Sequence, residues 1–70
     1  MISLDFASFQ EVNVIKKING TQEVKEHLQQ LGFRVGCRVA IISSTGTDFI
    51  ISVNDKRIAI SKALAKNVLI

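Results

Sequence analysis

Between Leu28 and Ile42 the sequence LQQLGFRVGCRVAII passes from helical to strand periodicity within a few residues, punctuated by Gly32 and Gly36. Val24, Leu28 and Leu31 recur at i, i+4 and i+7, which gives a helix one apolar stripe. Glycine just past a helix end supplies the left-handed conformation that a residue with a Cβ adopts only at a cost. After Gly36 the segment Arg38 to Ser43 reads as a strand, with Val39, Ile41 and Ile42 as its inward candidates. A helix stopped this abruptly against a strand is a compact α+β junction, not a linker. Gly32 and Gly36 are therefore expected to be structural turn residues.

The seventy residues fit one domain, 1–70. A chain of this length buries only about 60% of its unfolded surface, so its core must come from efficient pairing of short elements. Cys37 is the only cysteine, which leaves no disulfide within the chain and fits a reducing compartment. No apolar run approaches the roughly 18 residues that a membrane span needs. The N-terminus MISLDFASFQ lacks the basic and apolar regions of a signal peptide. These features set the expectation of a cytoplasmic protein with no direct membrane insertion.

Local chemistry outlines the remaining elements. Leu4 and Phe6 form a short packed lead-in, with Ser3 or Asp5 capping a turn. Glu11 to Ile18 alternates as a first strand, Val12, Val14 and Ile18 on one face and Asn13 and Lys17 on the other. Ile15 breaks that alternation, so part of the strand is expected to be covered on both faces. Asn19-Gly20-Thr21 is a turn, and Asn19 or Thr21 caps the helix that runs to Gly32. Ser43 to Asp48 has no apolar anchor and reads as a loop. Phe49 to Val53 and Arg57 to Ser61 form a hairpin through Asn54-Asp55, both of which tolerate positive φ. Lys62 to Lys66 makes one helical turn before a last strand at Val68 to Ile70. The sum is a mainly β fold with a short inserted helix, a small five-stranded, partly open barrel.

Few residues carry chemistry. His27 and Cys37 are each the only one of their kind, and no C-x2-C or H-x3-H spacing brings metal ligands together. His27 is expected to border the core, with Glu23 one turn before it. Cys37 reads as a small buried filler. Asp5, Glu11, Glu23, Glu26, Asp48 and Asp55 show no paired spacing for acid–base catalysis, and G-F-R-V-G lacks the G-K-[ST] ending of a phosphate-binding loop. No enzyme, no metal site and no cofactor is expected. The net charge of +3 comes from cations scattered along the chain, which reads as solvated surface rather than a nucleic-acid footprint. Of the four rings, Phe6, Phe9 and Phe49 look like core residues, and one exposed ring makes no base-stacking platform.

The order of strand, Asn-Gly turn, helix ending L-x-x-L-G-F, then a second glycine, a valine strand and a basic hairpin resembles the FeoA family of ferrous iron transport protein A. Leu28, Leu31, Gly32, Phe33, Gly36 and Val39 occupy the core pattern, and Ile51 to Ser61 resembles the closing hairpin. Ala63, Ala65 and Val68 resemble the helical turn and last strand, so the likeness runs from about Leu4 to Ile70. Val35 stands where the family commonly has proline, and His27 where a basic residue is usual. The resemblance implies an SH3-like barrel and a small cytosolic accessory to ferrous iron uptake. Its implied partner is the cytosolic domain of the FeoB-type transporter, whose assembly or GTPase-linked transport it would modulate. The other reading is a general protein- or nucleic-acid-binding module of the same fold.

Once the core is assigned, Phe33, Arg34, Lys56 and Arg57 remain as the candidate partner-binding surface. An exposed ring beside arginines matches the composition of interface anchors. The alternative is that Phe33 folds back onto Leu28 or Leu31 as the apolar partner of the helix end.

Overall fold

The computed structural model describes residues 1–70. A single 3-10 turn at Leu4–Phe6 leads into β1 (Asn13–Val14), β2 (Lys17–Ile18) and the helix α1 (Gln22–Gln30). The strands β3 (Arg38–Ser44), β4 (Asp48–Val53) and β5 (Lys56–Ser61) follow, then the one-turn helix α2 (Lys62–Ala65) and β6 (Val68–Leu69). One sheet has the order β1-β3-β4-β5 and the other pairs β2 with β6, all contacts antiparallel. The first strand of the sequence is thus a single segment bent between the two sheets, so six paired pieces make five strands. The barrel stays open between β5 and β6, where α2 bridges the gap.

Ile15 sits at that bend and explains its own break in alternation. Its N–H donates to the Cys37 carbonyl at 2.9 Å and its carbonyl accepts from Gly36 N–H at 2.8 Å. One residue on, Lys16 N–H donates to the Leu69 carbonyl at 2.8 Å, across the other sheet. Changing sheets turns Ile15 inward, where it is buried, and leaves Val12 and Val14 exposed. The expected inward face of Val12 and Val14 is therefore corrected: Val14 lies opposite Arg38, on the outer side of the sheet.

The hairpins follow from their turn residues. Asn54 and Asp55 have φ of 48° and 70°, the pair of left-handed conformations that suits a two-residue connection between twisted strands. Along β4, Phe49, Ile51 and Val53 are buried and the residues between them are not. The polar loop between β3 and β4 is shorter than Ser43 to Asp48, because β3 runs through Ser44. Thr45 N–H donates to the Asp48 carbonyl at 2.8 Å, and Asp48 N–H to Thr45 Oγ1 at 3.1 Å. A bulge at Ile42 shifts the register between Ile41 and Ser43.

Helix α1 starts at Thr21, whose hydroxyl accepts from Val24 N–H at 3.2 Å. Its stripe enters one core cluster that also holds Leu4, Val39, Ile41, Phe49, Ile60, Ala65 and Val68; Leu28 is fully buried, Val24 and Leu31 partly. Two of the rings expected in that core lie outside it. Phe6 is 75% exposed at the end of the 3-10 turn, whose fully buried residue is Leu4, and Phe9, beyond the turn, is 55% exposed. Half-buried Cys37 packs against the cluster, and its Sγ accepts from Asn54 Nδ2 at 3.3 Å.

Candidate functional site

Phe33 is 0% exposed, which removes it as a surface anchor. The cause lies in how α1 ends. Gly32 has φ of 99°, its N–H donates to the Gln29 carbonyl at 3.0 Å, and Phe33 N–H donates to the Leu28 carbonyl at 2.9 Å. This pair of bonds is a Schellman motif, whose left-handed glycine folds the next residue back onto the last helical turn. Phe33 joins Leu28 in the core cluster, so the fold-back alternative describes it.

Arg34 opens the turn that follows. Cys37 N–H donates to the Arg34 carbonyl at 3.0 Å, with Gly36 at φ of 93° in the third position, the place a type II turn reserves for glycine. Val35 is exposed at its tip. Asn54 ties this region to the β4–β5 turn: its Oδ1 accepts from Arg38 N–H at 3.4 Å, and its own N–H donates to the Arg38 carbonyl at 3.2 Å. The two turns bearing Arg34 and the Lys56–Arg57 pair are thereby held side by side. Arg57 is a strand residue on the outer face, opposite Ser52, and Lys56 lies opposite Val53 at the hairpin end. Arg34, Lys56 and Arg57 are all exposed.

Two clefts open on this half of the molecule. The smaller, about 300 Å³, lies over the sheet and is lined by Val12, Arg38, Val39, Ala40, Ser52, Asn54 and Asp55. It carries one charge of each sign. The larger, about 510 Å³, lies between β2, α1 and the Arg34 turn, lined by Lys16, Lys17, Ile18, Lys25, Gln29, Phe33, Arg34 and Val35. Four cations surround it and no carboxylate lines it. Their scattering along the chain concealed this convergence: Lys16 and Lys17 sit at the sheet change, Lys25 and Gln29 share a helix face one turn apart, and the Schellman turn returns Arg34 to the same side.

His27 is exposed, contrary to its expected place beside the core, because the stripe of Val24, Leu28 and Leu31 already fills the buried face. No group of three or more His, Cys, Asp or Glu side chains comes together to hold a metal ion. No helix is long and apolar enough to cross a membrane.

The family model of the FeoA domain matches residues 2–70. The chain belongs to the FeoA family. Among curated proteins no match is found. Among solved structures it superposes on an FeoA described as an iron uptake regulatory protein, with a TM-score of 0.86 and 26% identity, covering 96% of this chain and 91% of that one. The FeoA of Stenotrophomonas maltophilia, solved with zinc and described as an SH3 domain protein, matches with a TM-score of 0.83 at 20% identity, covering 99% of this chain and 88% of that one. A manganese-dependent transcriptional repressor matches with a TM-score of 0.85 at 7% identity, covering 94% of this chain and 38% of that one; that likeness shows the fold alone. The FeoA chain is thus a small SH3-like barrel of a family associated with ferrous iron transport.

Proposed function

We infer that this FeoA chain is a cytosolic accessory of ferrous iron uptake that binds the cytosolic part of a FeoB-type transporter and modulates its assembly or GTPase-linked transport. The observation that carries this reading is the match of the FeoA domain model across residues 2–70. The site chemistry supports it, since the notable surface features are cations on well-fixed turns, which recognise a partner rather than transform a substrate. Arg34, Lys56 and Arg57 are the contacts proposed for that partner, positioned by the turns that Asn54 joins. Phe33 supports them from below through the fold of the Arg34 turn.

The test is retention of the transporter's cytosolic portion on immobilised protein. Wild type is expected to retain it, and a variant carrying Arg34→Glu, Lys56→Glu and Arg57→Glu to retain much less while keeping its wild-type circular dichroism. Absence of retention by wild type overturns the reading. Unchanged retention by the folded variant moves the interface away from these three residues.

A further inference from the structure

The larger cleft collects four of the nine lysines and arginines of the chain and none of its six acidic residues. Like charges held together repel, and a bound anion relieves that repulsion. The backbone that carries these cations is held from three independent directions. Lys16 and Lys17 are anchored by bonds across to β6, Lys25 by the helix, and Arg34 by the Schellman motif and the turn that follows. The cleft is therefore a pre-shaped cationic surface.

Its lining narrows the class of anion. It contains no hydroxyl side chain, and the residues of the helix start, Thr21 to Val24, do not reach it. A compact phosphate group is favoured where the backbone N–H groups of a helix start converge on it, and no helix start lies in this lining. Single-stranded nucleic acid draws on exposed rings for base stacking, and the only ring present, Phe33, is fully buried as the floor. Apolar contact is available instead: Val35 is 65% exposed beside half-buried Ile18. Charge spread over several long cations, with an apolar strip among them and an amide at Gln29, suits polypeptide.

We propose that this cleft docks an acidic peptide segment of a partner protein. The segment's carboxylates meet Lys16, Lys17, Lys25 and Arg34, and an apolar side chain between them lies on Val35 and Ile18. The inference deepens the transporter reading and rests on it only for the partner's being a protein.

The test uses the whole protein and a short fluorescein-labelled peptide of Glu and Asp with a central Leu, followed by anisotropy. Wild type binds at low ionic strength and more weakly at physiological salt, where surface charges are screened. Lys17→Glu with Lys25→Glu weakens binding by about tenfold or more, and the milder Lys17→Gln with Lys25→Gln weakens it less, with folding checked by circular dichroism. Arg38→Glu with Lys66→Glu makes the same change in net charge outside the cleft and stays within about twofold of wild type. In NMR titration the amide shifts fall at Lys16 to Ile18, Lys25, Gln29, Arg34 and Val35. The proposal is overturned by no binding at low salt, by equal losses in the two charge-reversal variants, or by shifts on the outer face of the sheet. It is equally overturned if adenosine triphosphate or vesicles of anionic lipid displace the peptide through the same four cations more tightly than the peptide binds. If the peptide fails while the transporter's cytosolic portion is still retained, the cleft reading falls and the transporter reading stands.

Discussion

Phe33 and the pair Phe6 and Phe9 reverse what their hydropathy and position promise. Phe33 follows a helix, stands next to Arg34 in the sequence, and is fully buried; Phe6 and Phe9 sit in a largely apolar N-terminal stretch and stand in solvent. The same side chain meets opposite fates because the backbone before it differs. Ahead of Phe33 the left-handed Gly32 turns the chain back over Leu28. Phe6 itself ends a single 3-10 turn, with no side-chain cap at Ser3, in which Leu4 is the one fully buried residue. Burial in so small a barrel is decided by where a turn aims a residue, because the interior accepts only a few side chains.

The largest effect that tests this contrast belongs to Phe33→Ala. Loss of a fully buried ring from the core costs about 3–5 kcal/mol. A domain of this size has roughly 4–10 kcal/mol of stability in total, so the variant should lose about half or more of it. A urea melt with a wild-type slope and a sharply lowered midpoint is the expected result. A loss under about 1 kcal/mol breaks the comparison, since it means the ring is dispensable where it lies.

How far the sequence disclosed this arrangement depends on how local the cause is. The Gly32 stop and the positive φ at Asn54 and Asp55 follow from residues within a few positions of one another and are legible, whereas the cap is narrowed only to Asn19 or Thr21, of which Thr21 supplies it. The sheet change at Ile15 is not, because it depends on pairing with Cys37 on one side and, through Lys16, with Leu69 on the other. Ile15's broken alternation marks the place without revealing the partner. The cationic cleft is illegible for the same reason. Lys16, Lys17, Lys25 and Arg34 have no common period, and they meet only because the sheet change, the helix face and the Schellman turn all point to one side.

The backbone origin of Phe33's burial can be separated from packing at Gly32. A Cβ placed there meets no atom within 4 Å, so a substitution acts through φ alone. Gly32→Val is expected to cost about 1–2 kcal/mol, and Gly32→Ala nearly as much, because both carry a Cβ into the left-handed region. Gly32→Asn should cost less than Ala, since asparagine tolerates that conformation. Midpoints of urea unfolding order the three variants. If alanine is tolerated as well as asparagine, φ is not what holds the turn.

The smallest expected effect lies at the other end of the contrast. Phe6→Ser and Phe9→Ser remove rings that are mostly in water, so each should change stability by no more than about 0.5 kcal/mol. The 3-10 turn should survive, because its bonds, Phe6 N–H to the Ser3 carbonyl at 3.0 Å and Ala7 N–H to the Leu4 carbonyl at 2.9 Å, belong to the backbone. Leu4 stays buried in both variants and supplies the anchoring of this segment. Phe9, the less exposed of the two, should give the larger change. Equal urea midpoints for wild type and Phe6→Ser, beside the collapse of Phe33→Ala, would measure directly what a left-handed glycine does for the ring that follows it. A loss of more than about 1 kcal/mol at Phe6 would mean that the chain covers that ring in solution, and the contrast between the two regions would then rest on something other than the turns before them.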